Sequence, residues 1–244
     1  MWTSLLIAAP GIFLASLLRG FTGFGFGLAA VPLLSLALPP ARVVPLVVLL
    51  QVTVALSDLR PAWRACDRRA IGELIPGLIL GVPVGLAILT WLPPNPVRLA
   101  IGVVIGFSVL LLWRGVRLPS RPSRSLTMGV GAVSGTISGL ASMGGPPIVV
   151  YLIAKGHDVA TVRATSSVYF MISGLISGCL MLGKGMLDAE LLVWTGVALP
   201  LLFLGSWIGT LGFRRTEARH HRLVALSVLA MLSATLIVRA FEVW

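Results

Sequence analysis

A cation, a hydroxyl and bare backbone come together in the run Arg19-Gly20-Phe21-Thr22-Gly23-Phe24-Gly25-Phe26-Gly27. A guanidinium presents a planar fork of donors that suits an oxyanion, and glycine lets a ligand approach the backbone closely. Arginine inside a long apolar stretch is costly unless it faces a cavity, a partner or the interface. Arg19 therefore either holds an anion or snorkels to the headgroups from the end of a short half-helix. A second run, Ser134-Gly135-Thr136-Ile137-Ser138-Gly139-Leu140-Ala141-Ser142-Met143-Gly144-Gly145-Pro146-Pro147, offers hydroxyls and backbone without charge. Gly135 and Gly139, four apart, are expected to let helices pack closely.

The expected substrate site draws Arg19, Thr22, Gly23, Phe24 and Gly25 from the first run and Ser142, Met143, Gly144 and Gly145 from the second, with Gln51 and Tyr169 lining the path between them. Backbone amides from both breaks are expected to face the ligand, with Phe24 and Phe26 as dry walls. Thr53, Ser57, Thr165, Ser166, Ser167 and Ser173 are the other polar residues that could line the path, although isolated Ser and Thr in membrane helices more often bond their own backbone or a neighbouring helix.

Such a site must be held by membrane helices. Apolar residues make up 57% of the 244 positions and charged residues 11%, and mean hydropathy is +1.00; soluble domains average about 45–50% and 25%. A span needs about 20 apolar residues, which leaves no room for a soluble domain. The apolar stretches are Ser4–Leu38, Val43–Ser57, Ala70–Leu92, Val97–Trp113, Leu126–Ile153, Val159–Leu182, Leu187–Phe213 and Leu223–Ala240. The first is 35 residues long, and it and Leu126–Ile153 carry the glycine runs, so both should be broken in the middle. Broken helices survive at membrane depth only where protein or a cavity covers their backbone. Two of them in corresponding positions point to one shared site.

The chain is expected to repeat itself, with residues 1–118 as the first unit and 119–244 as the second. Pro76, Gly81 and Gly85 match Pro200, Gly205 and Gly209 at a constant offset of 124, as Arg98-Leu99 matches Arg222-Leu223. The net charge of +11 lies between apolar segments and is read as a topology signal rather than a nucleic-acid surface. If every stretch crossed once, basic residues would divide ten against eight. If each broken stretch returns to its own side, they divide fourteen against four, with only Arg42, Arg98, Lys184 and Arg239 outside. The second division obeys the inside bias. It puts both termini outside and makes the two units inverted, each with a broken or re-entrant element and three transmembrane helices. No basic residue precedes the first apolar segment, so it is expected to remain rather than be cleaved as a signal peptide.

The eight acidic residues fall at helix ends or in loops, which favours an anion over a cation as substrate. Cys66 and Cys179 have no metal or disulfide spacing, and no cofactor is implied. Ser138 and Ser142 have no membrane histidine to activate them, so an enzyme is not expected. A homodimer is compatible with the sequence without being required by it.

The two glycine openings, Arg19–Gly27 followed by Pro32 and Ser138–Pro147, resemble the TauE/SafE sulfite exporter family, also called the toluene sulfonate uptake permeases. The likeness runs over roughly residues 5–240. It implies transport of sulfite, thiosulfate, sulfoacetate or another organosulfonate across a bacterial or archaeal inner membrane. Another small anion such as a carboxylate, or a non-transporting membrane scaffold, are the alternatives left open.

Overall fold

The computed structural model describes residues 2–22, 25–114 and 123–215, with residues 231, 234, 235 and 238. The apolar stretch Leu223–Ala240 and the basic residues Arg117, Arg121, Arg219, Arg222 and Arg239 lie wholly or mainly outside the described residues. Among the described residues ten helices follow in order: α1 (Trp2–Thr22), α2 (Phe26–Ser35), α3 (Pro40–Ser57), α4 (Leu59–Ala65), α5 (Arg68–Trp91), α6 (Pro94–Arg114), α7 (Arg124–Ala141), α8 (Gly145–Ala154), α9 (Val159–Gly183) and α10 (Ala189–Arg215). Among the described residues, α3, α5, α9 and α10 are long and apolar enough to cross a membrane.

Local chemistry sets the helix boundaries. Asp67, Ser123 and Asp158 cap α5, α7 and α9 by accepting the amides of Ala70, Leu126 and Thr161. Pro40 opens α3, where its missing N–H costs nothing. Gly156 and Gly185, both at positive φ, turn the chain after α8 and α9. Prolines at 10, 32, 45, 76, 83 and 200 lie inside helices, which membrane helices tolerate because neighbouring groups satisfy the freed carbonyls.

Both broken stretches fold back on themselves. Gly11 of α1 faces Leu33 and Leu34 of α2, and Thr127 of α7 lies 3.1 Å from the Tyr151 hydroxyl of α8. Were each pair one straight helix, these residues would be roughly 35 Å apart at about 1.5 Å per residue. Each break is therefore the tip of a hairpin.

Polar bonds place the hairpins at opposite ends of the bundle. Arg42 at the start of α3 pairs with Asp188 and Glu190 at the start of α10, and Arg98 Nε donates to Ser35 O at 3.0 Å. The base of the α1–α2 hairpin and the starts of α3, α6 and α10 thus share one end. At the other, Lys155 Nζ after α8 lies 3.1 Å from Asp67 before α5, and His157 lies 3.0 Å from the same carboxylate. Single crossings throughout would have put Arg42 and Asp188, and likewise Lys155 and Asp67, on opposite faces.

Packing relies on bare helix surfaces. A Cβ on Gly77, Gly81 or Gly85 of α5 would meet backbone of α7 at Met128, Ala132 and Thr136, and one on Gly131, Gly135 or Gly139 would meet Leu74, Leu78 and Val82 of α5. Both helices carry glycine every fourth residue, so two backbones touch along three turns, where close contact replaces the hydrophobic force that lipid cannot supply. Gly135 and Gly139 are packing residues here. α1 and α10 pair similarly but less barely, with Ser16 and Gly20 against Gly205, Ser206 and Gly209. Between these outer pairs α3 crosses α9, where Val52 and Val48 meet Gly174 and Gly178.

Candidate functional site

The two hairpin tips meet beside the middle of α3. Gly25, at φ 91, ends the first break, and α2 begins at Phe26 with no side-chain cap. The first intrahelical bond of this helix runs from Ala29 N–H to Gly25 O at 3.2 Å, so the amides of Phe26, Gly27 and Leu28 precede it. These three residues lie at the space between the tips, where the start of a helix carries unsatisfied N–H groups and a positive dipole end. At the second tip Ser142 takes the left-handed conformation, φ 54, and its N–H closes α7 on Ser138 O at 2.7 Å. A non-glycine residue there carries about 1–2 kcal/mol of strain.

Gln51 of α3 joins the tips. Ser142 Oγ donates to Gln51 Oε1 at 3.3 Å. Gly27 lies against both the Ser142 carbonyl and that same Gln51 oxygen, so closely that a Cβ would overlap the carbonyl.

Here a partly open cavity is lined by Arg19, Gly25, Phe26, Gly27, Leu28, Gln51, Ala55, Ser142, Met143, Gly145, Ser167 and Phe170. It leaves about 30 Å³ for the centres of water molecules; one water takes roughly 10–15 Å³ on that measure. The space therefore fits two or three waters or one compact oxyanion. Arg19 Nη2 donates to Asp58 Oδ2 at 2.8 Å, and Arg163 of α9 is near enough to add positive potential. The chemistry on offer is anion binding by a guanidinium, helix-terminal amides, an amide side chain and hydroxyls.

Of the residues expected from sequence, Arg19, Gly25, Gln51, Ser142, Met143 and Gly145 line the cavity. Gly144 stands behind it, its carbonyl bonded by Ser134 Oγ and its Cα against Ser138. Tyr169 is fully buried and points to Gly131 O at 3.5 Å, away from the cavity; its neighbour Phe170 lines the wall instead. Gly23 and Phe24 lie outside the described residues, and Thr22 is described only as the last residue of α1. The second tip supplies fewer donors than expected, because Pro146 and Pro147 in the first turn of α8 have no N–H and leave Gly145 alone there. Ser167, one of the helix hydroxyls that could line the path, does reach the cavity; Leu28, Ala55, Phe170 and the Asp58 partner were not expected from the sequence. Ala55 and Asp58 could have been found, since they follow Gln51 at i+4 and i+7, the first on the same face of α3 and the second at its C-cap.

Below the site, Asp67 ties the two halves of the chain. Burial pushes its carboxyl up, but the Ala70 amide, the Lys155 bond and the charges of Lys155 and His157 outweigh that and hold it below the usual carboxylate range.

Comparison with known proteins adds to this geometry. The profile of a family described as Sulfite exporter TauE/SafE matches residues 8–236. A probable sulfite/organosulfonate exporter TauE from Cupriavidus necator is 27% identical over 232 residues, covering 91% of this chain and 90% of that protein. A probable inner membrane transporter protein TsaS from Comamonas testosteroni is 28% identical over 170 residues, 67% of this chain and 70% of its own length. No solved structure matches the chain.

Proposed function

The chain belongs to the TauE/SafE sulfite exporter family, and from that premise we propose that it is a secondary transporter of the inner membrane that carries a small sulfur oxyanion by alternating access. The cavity between the hairpin tips carries this reading, because it sets Arg19 and the uncapped start of α2 around a space for one compact oxyanion. A sulfite or sulfonate head has three acceptor oxygens, enough to engage the guanidinium, the amides of Phe26 to Leu28 and Gln51 together. Neutral protein dipoles that replace the hydration shell of such an anion act strongly where water is scarce.

The two halves act as inverted repeats. Hairpins that enter from opposite ends support it, as does the reciprocal pairing of α5 with α7 and α1 with α10. So do Asp67 and Asp188, each capping the same helix of its own half while pairing with a cation of the other. Rocking of one half against the other would open the cavity alternately to each end. Export is the favoured direction, since an inside-negative potential drives an outgoing anion by about 2.3 kcal/mol per charge per 100 mV. The names of the relatives support sulfite or an organosulfonate as cargo.

Counterflow of labelled sulfite in proteoliposomes tests the proposal. Wild type should concentrate the label transiently and Arg19→Ala should not; equal counterflow by both would remove Arg19 from the mechanism.

A further inference from the structure

Asp58 stands in line with the cavity without lining it. Gln51 and Ala55 lie on one face of α3 at i and i+4 and line the cavity; Asp58, the residue that caps the end of α3, follows at i+7, one turn further on. Arg19 lines the cavity too, yet its Nη2 is turned to Asp58. The arginine side chain is 17% exposed and the aspartate 53%. A guanidinium so enclosed needs a counter-charge to remain where it is, whereas a carboxylate already half in water gives up little when it swings away. The backbone of Asp58 is fixed at the α3–α4 junction, its N–H bonded to Val54 O and its carbonyl to Ala62 N–H, which leaves side-chain rotation as the free motion.

We propose that Asp58 is a resident counter-ion of Arg19 that the substrate must displace or share, and that it thereby sets which anions the site accepts. The inference rests on the reading of the cavity as the substrate site. In the empty protein the carboxylate holds Arg19 in place. An incoming carboxylate would exchange one two-oxygen partner for another and gain little. A three-oxygen sulfur anion satisfies the guanidinium and still has an oxygen for the α2 amides, so it wins the exchange. When the anion leaves, Asp58 retakes the arginine, which speeds release.

Methanesulfonate and acetate, alike except for the head group, separate these effects. Binding of each to the purified full-length protein is measured by calorimetry for wild type, Asp58→Asn, Asp58→Glu, Arg19→Ala and the Arg19→Ala/Asp58→Asn double variant, and methanesulfonate exchange is measured in proteoliposomes. Asp58→Asn should bind methanesulfonate at least about fivefold more tightly, acquire measurable acetate binding, and exchange more slowly. Asp58→Glu should resemble wild type, and the double variant should bind as poorly as Arg19→Ala. Asp58→Ser serves where the Asn variant is not monodisperse. An Asp58 variant with unchanged or weaker methanesulfonate binding and no acetate binding overturns the counter-ion role, while loss of binding in Arg19→Ala would leave the substrate site standing. Wild-type affinity in Arg19→Ala would overturn the site and this inference together.

Discussion

Replacement of Gly27 by alanine puts a methyl group where the hairpin tips touch. The added carbon would overlap the Ser142 carbonyl and come within 3.2 Å of Gln51 Oε1. The first of these is backbone held in a left-handed turn, so no flexible side chain can yield, and the tips must separate by roughly 1 Å to reach an ordinary contact. Overpacking of this kind costs about 1–3 kcal/mol, against which alanine returns at most about 1 kcal/mol of helix propensity. The net expectation is a loss of about 1–2 kcal/mol in stability. Separation would also stretch the Ser142–Gln51 bond, so methanesulfonate binding should fall about tenfold. Gly129→Ala is the matched control: it lies in α7, and a Cβ there meets nothing within 4 Å, so stability should hold or rise by about 0.4–1 kcal/mol. Thermal unfolding in detergent and calorimetric binding read both quantities. A Gly27→Ala protein that unfolds and binds like Gly129→Ala would refute the claim that the tips are in contact.

Ser142→Gly should relieve backbone strain and raise stability by about 1 kcal/mol while losing the bond to Gln51; Ser142→Ala should lose the bond and keep the strain, and comparison of their melting and binding separates the terms. Gly81→Leu should disrupt the α5–α7 crossing, where even a Cβ meets the Ala132 carbonyl, and lower stability by about 3 kcal/mol or more, detected as loss of the monodisperse peak. Because the Asp67 carboxyl titrates below its ordinary value in the folded protein, its contribution is complete above the unfolded value of about 3.9 and disappears as pH falls through the folded value. Asp67→Asn should therefore melt below wild type at pH 7, with the difference shrinking in acid, read from melting temperature against pH.

The breaks were legible because glycine clusters and prolines cannot continue an apolar helix, and the return of each stretch was legible in the distribution of arginine and lysine. The short helix α4 was not: it is seven residues long, carries Pro61 and two arginines, and is recognisable as a helix only through its packing on α9. The partner of Arg19 was hidden by a separation of 39 residues. Tyr169 and Phe170 show a limit of polarity as a guide, since adjacent helix positions point about 100° apart and the hydroxyl is directed to a backbone carbonyl rather than to the path. The missing donors of α8 could be read from the sequence directly, because Pro146 and Pro147 carry no N–H.

A sulfur oxyanion seated where the hairpin tips meet should shield a thiol placed in the cavity. Ser167→Cys, in a background with Cys66 and Cys179 replaced by serine, is labelled with a methanethiosulfonate reagent in the presence and absence of methanesulfonate. Labelling should slow several-fold with methanesulfonate and lose that protection when Arg19→Ala is added. An unchanged rate at concentrations that saturate transport would place the substrate elsewhere in the protein.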